Sequence, residues 1–311
     1  MGNQRTNLNG GGLINKIKRL IIGAQNLPDW KPAQVLDIEP NLARYHHIGL
    51  SRKKRQYHNE SSGYGDYGIP FFKVPLEKCL TASLFNYGPD GGHPFVDAVK
   101  YYQSGDTDQA HEILYRFFRK FTPHTLHDFF FGSTGQTASG NSPELQAKIP
   151  SVIHNDTFED TAYPWSWHPF PGEHDLSGQR QQHRLYFGPE SDNGINTEAE
   201  RLFNLSDKIR KEGEVVDFAT PVEGYLLCDE HNDYRFMIRK GKHRVAVLSA
   251  LGFETVTATF VGGMPRSYDL PLVNSWPKIQ NGSWNEEDAR AIFKLCFEGR
   301  SATFIESNLQ G

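Results

Sequence analysis

The chain has 311 residues, 37% hydrophobic and 23% charged, with a formal net charge of −4. That length is enough to bury one large core or two ordinary ones. The acidic balance disfavours a general nucleic-acid coat protein but leaves room for a local basic patch, and no run approaches the roughly 18 apolar residues of a membrane span. Cys79, Cys228 and Cys296 lie far apart, forming neither a CxxC pair nor a disulfide framework, which suits a reducing compartment. Residues 1–12 are polar and Gly-rich and show no signal peptide, so a cytoplasmic protein is the expectation.

Along the chain, residues 1–12 read as disordered. Residues 13–22 form a short basic amphipathic helix carrying Lys16, Lys18 and Arg19, and residues 51–55 are a second basic cluster. Together they could touch an anionic membrane peripherally, or the helix could pack on the domain. Residues 69–80 read as a strand and a following turn. Pro94 suits the first turn of a helix reaching about Gln103. Residues 107–121 form a second helix with Thr107 as its cap. Residues 122–196 read mostly as loop, rich in Trp, His and Pro, and a loop this long is normally functional or disordered. Thr197 and Glu200 are spaced as a capping box, opening a helix that Gly213 ends. Strands follow at 215–219, 225–228 and 234–238. After a helix that Gly252 stops, another strand covers 255–261, and a capped helix covers about 285–297.

The 234–252 stretch holds the sharpest chemical signal. A strand leads into Gly241, and a helix follows with Lys242, His243 and Arg244 at its start. Free N–H groups and the positive end of the helix dipole make such a turn an anion site. Arg244 can bind a phosphate bidentately, and His243 can donate or relay a proton. Arg239 and Lys240 add positive potential. The plainer reading of the same residues is a Gly turn before a core helix with solvated charges.

The series from Glu200 to Val261 resembles the core of the ParB/sulfiredoxin-like superfamily. The likeness rests on Lys-Ile-Arg-Lys-Glu-Gly213 at a helix end, a strand pair, Gly241-Lys-His-Arg-Val-Ala246, Ala-Leu-Gly252 and a β-branched strand. The flanking His93-Pro94-Phe95, Gly188-Pro189-Glu190-Ser191 and Asn274-Ser-Trp276-Pro are similar to a ParB-like subgroup often encoded among bacterial surface-polysaccharide genes. The resemblance implies an α/β (α+β) fold: a small mixed sheet with a large helical, loop-rich insertion. It divides the chain into an extension at 1–68, a core at 69–262 with the insertion at 81–196, and a helical extension at 263–311. It also implies that the Gly241 turn holds nucleotide phosphates. Sulfiredoxins carry a Cys where this chain has Lys242, so sulfinic-acid repair is not expected. The missing helix-turn-helix region disfavours DNA partition, and nucleic acid is not an expected partner.

What remains is a nucleotide-dependent phosphotransferase acting on a small-molecule or glycan acceptor, with ATP and Mg²⁺ as cofactors. Phosphates would sit at Gly241, Lys242, His243 and Arg244, with Arg239 beside them. Phosphoryl transfer needs a group to orient the acceptor and carboxylates for the metal. Glu190 and Glu198 are the carboxylate candidates, with Glu190 the candidate Mg²⁺ ligand, and His93 and His168 the candidate bases. Trp165, Trp167 and Tyr186 could stack on a sugar or base. The alternative is a nucleotide-binding switch or assembly factor without turnover. No Cys/His set has zinc spacing.

Overall fold

A computed structural model of the chain describes residues 72–132, 142–172, 185–213, 221–231, 233–262, 264–300 and 304, together with the backbone of 36–37. These residues belong to one of the chain's two compact units, Leu36–Gly311. The expected disorder at 1–12, the basic helix at 13–22, the basic cluster at 51–55 and the strand at 215–219 lie outside the described residues.

The fold is mixed α/β. Its sheet contains β1 (Leu36–Asp37), β2 (Phe72–Pro75), β3 (Cys79–Leu80), β4 (Val222–Cys228), β5 (Tyr234–Lys240), β6 (Thr255–Phe260) and β7 (Ser267–Asp269). The order is β1-β2-β6-β4-β5-β3, and β7 pairs with β4. β4 is the hub. It runs antiparallel to β5 on one side, while on the other its first half pairs with β6 and its second half with β7, both parallel. Every residue of β4 is buried, as expected of a strand flanked on both edges and covered on both faces. β7 lies in the 263–311 stretch, which therefore adds a strand to the sheet.

The segment expected as a strand and a following turn at 69–80 holds two strands joined by a turn. Pro75 ends β2, a 3-10 turn covers Leu76–Lys78, and β3 begins at Cys79. A proline cannot donate to a ladder, so it closes a strand. The short turn then carries the chain from a place beside β6 to a place beside β5.

The helices are α1 (Pro94–Gln103), α2 (Thr107–Lys120), α3 (Leu126–Phe131), α4 (Asn155–Thr161), α5 (Asp192–Glu212), α6 (Lys242–Ala250), α7 (Pro277–Gln280) and α8 (Glu286–Glu298). α1 packs on α2, α5 and α6. α5 packs on α2 and α6, and α6 reaches β4. The helix starts differ from the sequence reading in two places. α2 is capped by Asp106, whose carboxylate accepts the Gln109 N–H at 3.0 Å, and Thr107 is the first helical residue. Of two adjacent capping residues, the anion also complements the positive helix end. The 197–200 capping box does not form. α5 starts six residues earlier, with Ser191 Oγ accepting the Gly194 N–H at 3.1 Å. Thr197 sits within the helix and donates to Asn193 O at 2.7 Å. A capping box does occur at Thr125–Asp128, with aspartate in the place of the usual glutamate.

Residues 122–196 hold more regular structure than expected: α3, α4, a 3-10 turn at Pro143–Gln146 and the start of α5. These elements are too short to show a period, and they are pinned by buried aromatics including Phe129, Phe130, Phe158, Tyr163 and Trp165. The C-terminal part is bound to this region by buried polar contacts. The Lys278 ammonium, 1% exposed, donates to Glu144 and to the Thr161 carbonyl. Asp288 accepts the Ser142 N–H at 3.0 Å and its hydroxyl at 2.6 Å. Arg300 donates to the carbonyls of Ser83 and Phe130.

Candidate functional site

β5 ends at Lys240 and the chain turns at Gly241, with φ 86° and ψ 17°. Only glycine adopts this left-handed conformation without strain. A Cβ here would also stand 2.9 Å from Val222 Cγ2 in the neighbouring strand. α6 begins at the next residue, and Gly241 offers no side-chain cap. The first N–H groups of a helix have no intrahelical partner, so the turn has the backbone chemistry that suits an anion.

The side chains of the turn divide between two carboxylate groupings. On one side, Lys242 is buried, with Nζ 3.1 Å from Glu159 Oε1 and 4.7 Å from the centre of the Tyr186 ring. Arg239 Nη1 lies 3.0 Å from Glu159 Oε2, and its Nη2 donates to Asp160 at 2.7 Å. Tyr186 donates its hydroxyl to Glu159. Burial raises the Glu159 carboxyl, and Lys242, Arg239 and the Tyr186 hydrogen bond pull it back only in part. Burial pulls Arg239 down, but Glu159 and Asp160 outweigh it and push the guanidinium further up. Two cations and two carboxylates thus balance within the protein.

On the other side, His243 Nε2 lies 2.6 Å from Glu198 Oε2. Glu198 comes from α5, is fully buried, and also accepts from Arg201 at 2.6 Å. Burial raises its carboxyl, but the His243 hydrogen bond, the His243 charge and Arg201 outweigh burial and hold it below the usual range. Glu198 therefore stays ionised and fixes the imidazole through Nε2. Phe95 of α1 stacks on that ring at 5.6 Å and 11°, and the His243 side chain remains 24% exposed. Arg244 is half-buried at the next position. Lys240 pairs with the buried Glu223 at 3.0 Å.

The other sequence candidates have structural partners or stand apart. His93 is the N-cap of α1, its Nδ1 accepting the Phe95 N–H at 3.1 Å. It stacks on Tyr87 at 4.4 Å. Burial pushes it down to about 3, its own backbone hydrogen bond opposing and the nearby His243 assisting, so it is neutral. Glu190 is folded onto the start of α5, where its Oε1 accepts the Ser191 N–H at 2.8 Å and the Ser191 hydroxyl at 3.0 Å. A side chain at Gly194 would overlap that carboxylate. His168 is exposed, next to Trp167, which is 66% exposed. Trp165 is core, stacked on Tyr163 at 4.8 Å with Nε1 donating to the Tyr225 hydroxyl at 3.3 Å.

Among the described residues no group of three or more His, Cys, Asp or Glu is placed to hold a metal ion, and the Glu190 carboxylate is engaged by the N–H and hydroxyl of Ser191. The described residues thus bring together no protein-only cluster for Mg²⁺. No described helix is long and apolar enough to cross a membrane.

The sequence reading missed Glu159, Asp160 and Phe95. Glu159 and Asp160 sit on α4, a short helix within the stretch read as loop, and nothing in their spacing links them to the Gly241 turn. No family model matches the chain, and neither a curated protein nor a solved structure does.

Proposed function

We propose that the chain is a nucleotide-dependent phosphotransferase on a ParB/sulfiredoxin-like core, with a small-molecule or glycan hydroxyl as acceptor. The Glu198–His243 pair carries this reading. A histidine fixed by a buried carboxylate, at the first turn of a helix opened by a left-handed glycine, joins a base to an anion site. The order helix, strand, strand, turn, helix, strand over α5, β4, β5, α6 and β6 supports the core assignment.

In this reading the nucleotide phosphates lie over the N-terminus of α6, with Arg244 beside them. Nε2 of His243 faces Glu198, which leaves Nδ1 for the acceptor hydroxyl. The hydroxyl oxygen bonds to the terminal phosphorus as the bond from that phosphorus to the bridging oxygen breaks. The hydroxyl proton passes to Nδ1, and ionised Glu198 stabilises the imidazolium. Such a base contributes about 10²–10⁴-fold.

Calorimetry with ATP, ADP and CTP tests the phosphate site. Gly241→Val should abolish binding, and normal binding by that variant would overturn the assignment. Glu198→Gln should keep nucleotide affinity and lower transfer by about 10²–10⁴-fold. A second reading, a non-catalytic nucleotide switch or assembly factor in polysaccharide synthesis, draws support from Glu159. That carboxylate already holds Lys242 and Arg239, and an arriving phosphate would compete with it for them. Nucleotide binding without hydrolysis or transfer would favour this second reading.

A further inference from the structure

A cleft of about 650 Å³ lies between α1 and α2, away from the Gly241 turn. Its volume falls within the range of small-molecule sites, about 300–1,000 Å³. Helical spacing builds it. Asp97 and Tyr101 are four apart on α1, and Gln109, Ile113 and Phe117 recur every fourth residue on α2, with Arg116 alongside. Phe117 is buried and Ile113 half-buried, whereas Tyr101 keeps 43% of its surface exposed. An exposed tyrosine ring among buried and half-buried apolar side chains gives one face to C–H groups. The carboxylate, amide and guanidinium around it offer planar acceptors and donors.

We propose that this cleft binds a neutral saccharide, packing a sugar ring on Tyr101 and pairing its hydroxyls with Asp97, Gln109 and Arg116. The charges of the lining argue for a neutral ligand. Lys100 lies 3.6 Å from Asp97 and donates to the Pro89 carbonyl at 2.5 Å. Arg116 lies 3.9 Å from Glu112. No cation of the lining is thus without a nearby oxygen acceptor. Partial burial raises the Asp97 carboxyl, with Lys100 opposing, as expected of an acid held in a cleft and available to a hydroxyl donor.

The cleft is separate from the Glu198–His243 pair but is linked to it through one aromatic side chain behind its lining. Phe95 stacks on His243 at 5.6 Å and meets Phe117 at 6.2 Å. The sugar held here is therefore not the one that reacts. It is a neighbouring unit of a glycan acceptor, and that identification rests on the transfer reading above, whereas saccharide binding itself does not.

Saturation-transfer NMR on the full chain, with glucose, galactose, N-acetylglucosamine, maltotriose and inorganic phosphate as probes, tests the proposal. At least one saccharide should show transfer. Tyr101→Ala should remove it, and Asp97→Asn should weaken binding about tenfold, with the thermal midpoint of Tyr101→Ala unchanged. Three results would overturn it: no saccharide signal, a signal that survives Tyr101→Ala, or phosphate binding alone that is lost in Arg116→Ala. A parallel nucleotide titration separates the two ideas. Saccharide binding without nucleotide binding would leave the cleft standing and remove the transfer reading.

Discussion

The two sides of the Gly241 turn are built from the same materials and do opposite things. On the Arg239–Lys242 side, the cations point into the protein and meet Glu159 and Asp160, with Glu159 and Lys242 buried. On the His243 side a single buried carboxylate meets a ring that keeps part of its surface in solvent. The first arrangement is a closed ion cluster that ties α4 to β5 and α6. The second is a partly exposed imidazole oriented through one of its two nitrogens. A run of positive residues at a helix start does not behave as one group, because partners from distant segments divide its side chains between two carboxylate groupings.

The sharpest way to break this contrast is to remove Glu159. Glu159→Ala leaves Arg239 with Asp160 and takes the carboxylate from buried Lys242, and loss of one partner from a buried ion cluster costs about 3–5 kcal/mol. Urea denaturation should show that loss, whereas a loss under 1 kcal/mol would mean that the cluster is solvated in solution. Acid probes the His93 end of the same neighbourhood. His93 is held down to about 3 when folded and titrates at 6.5 when free. The unfolded chain therefore takes up this proton first. The stabilisation is complete above pH 6.5 and is lost as pH falls towards 3, at roughly 1.4 kcal/mol per unit. Glu198, held low, adds a loss of the same sign below its ordinary value. His93→Asn keeps a capping acceptor, so its stability measured from pH 7 to 4 should fall less steeply than that of the parent chain.

Gly241→Ala forces a Cβ into the left-handed region and against Val222, at a cost of about 1–2 kcal/mol, read from the shift in denaturation midpoint. The smallest effect sharpens the placing of α5. Ser191→Ala should cost about 1 kcal/mol as a lost cap, and Thr197→Ala no more than about 0.5 kcal/mol as a surface change. The reverse ranking would restore the helix start at 197.

Local rules read the molecule well where a signal lies within a few residues. Pro94 at the start of α1, Gly241 and Gly252 around α6, and Asn285 before α8 stand where turn and cap chemistry placed them. The same rules misplaced the start of α5. Thr197 and Glu200 satisfy the spacing of a capping box, and Gly194 resembles a helix breaker. Gly194 is instead the one residue small enough to leave room for the Glu190 carboxylate. α3 and α4 were missed because six or seven residues do not establish a helical period, and burial of their aromatics holds them in place.

For the candidate site, the sequence by itself determined the strand, the left-handed glycine and the helix start. Each is fixed by the conformational limits of a few adjacent residues. It also placed a histidine and an arginine in the first turn of that helix. Only the tertiary structure decided what those side chains meet. Glu198 is 45 residues away from His243 in sequence, and Glu159 reaches Lys242 from a helix with no period of its own. Coulomb attraction acts through space while propensity acts along the chain. The chemistry of this turn is therefore set by carboxylates whose approach no local pattern records.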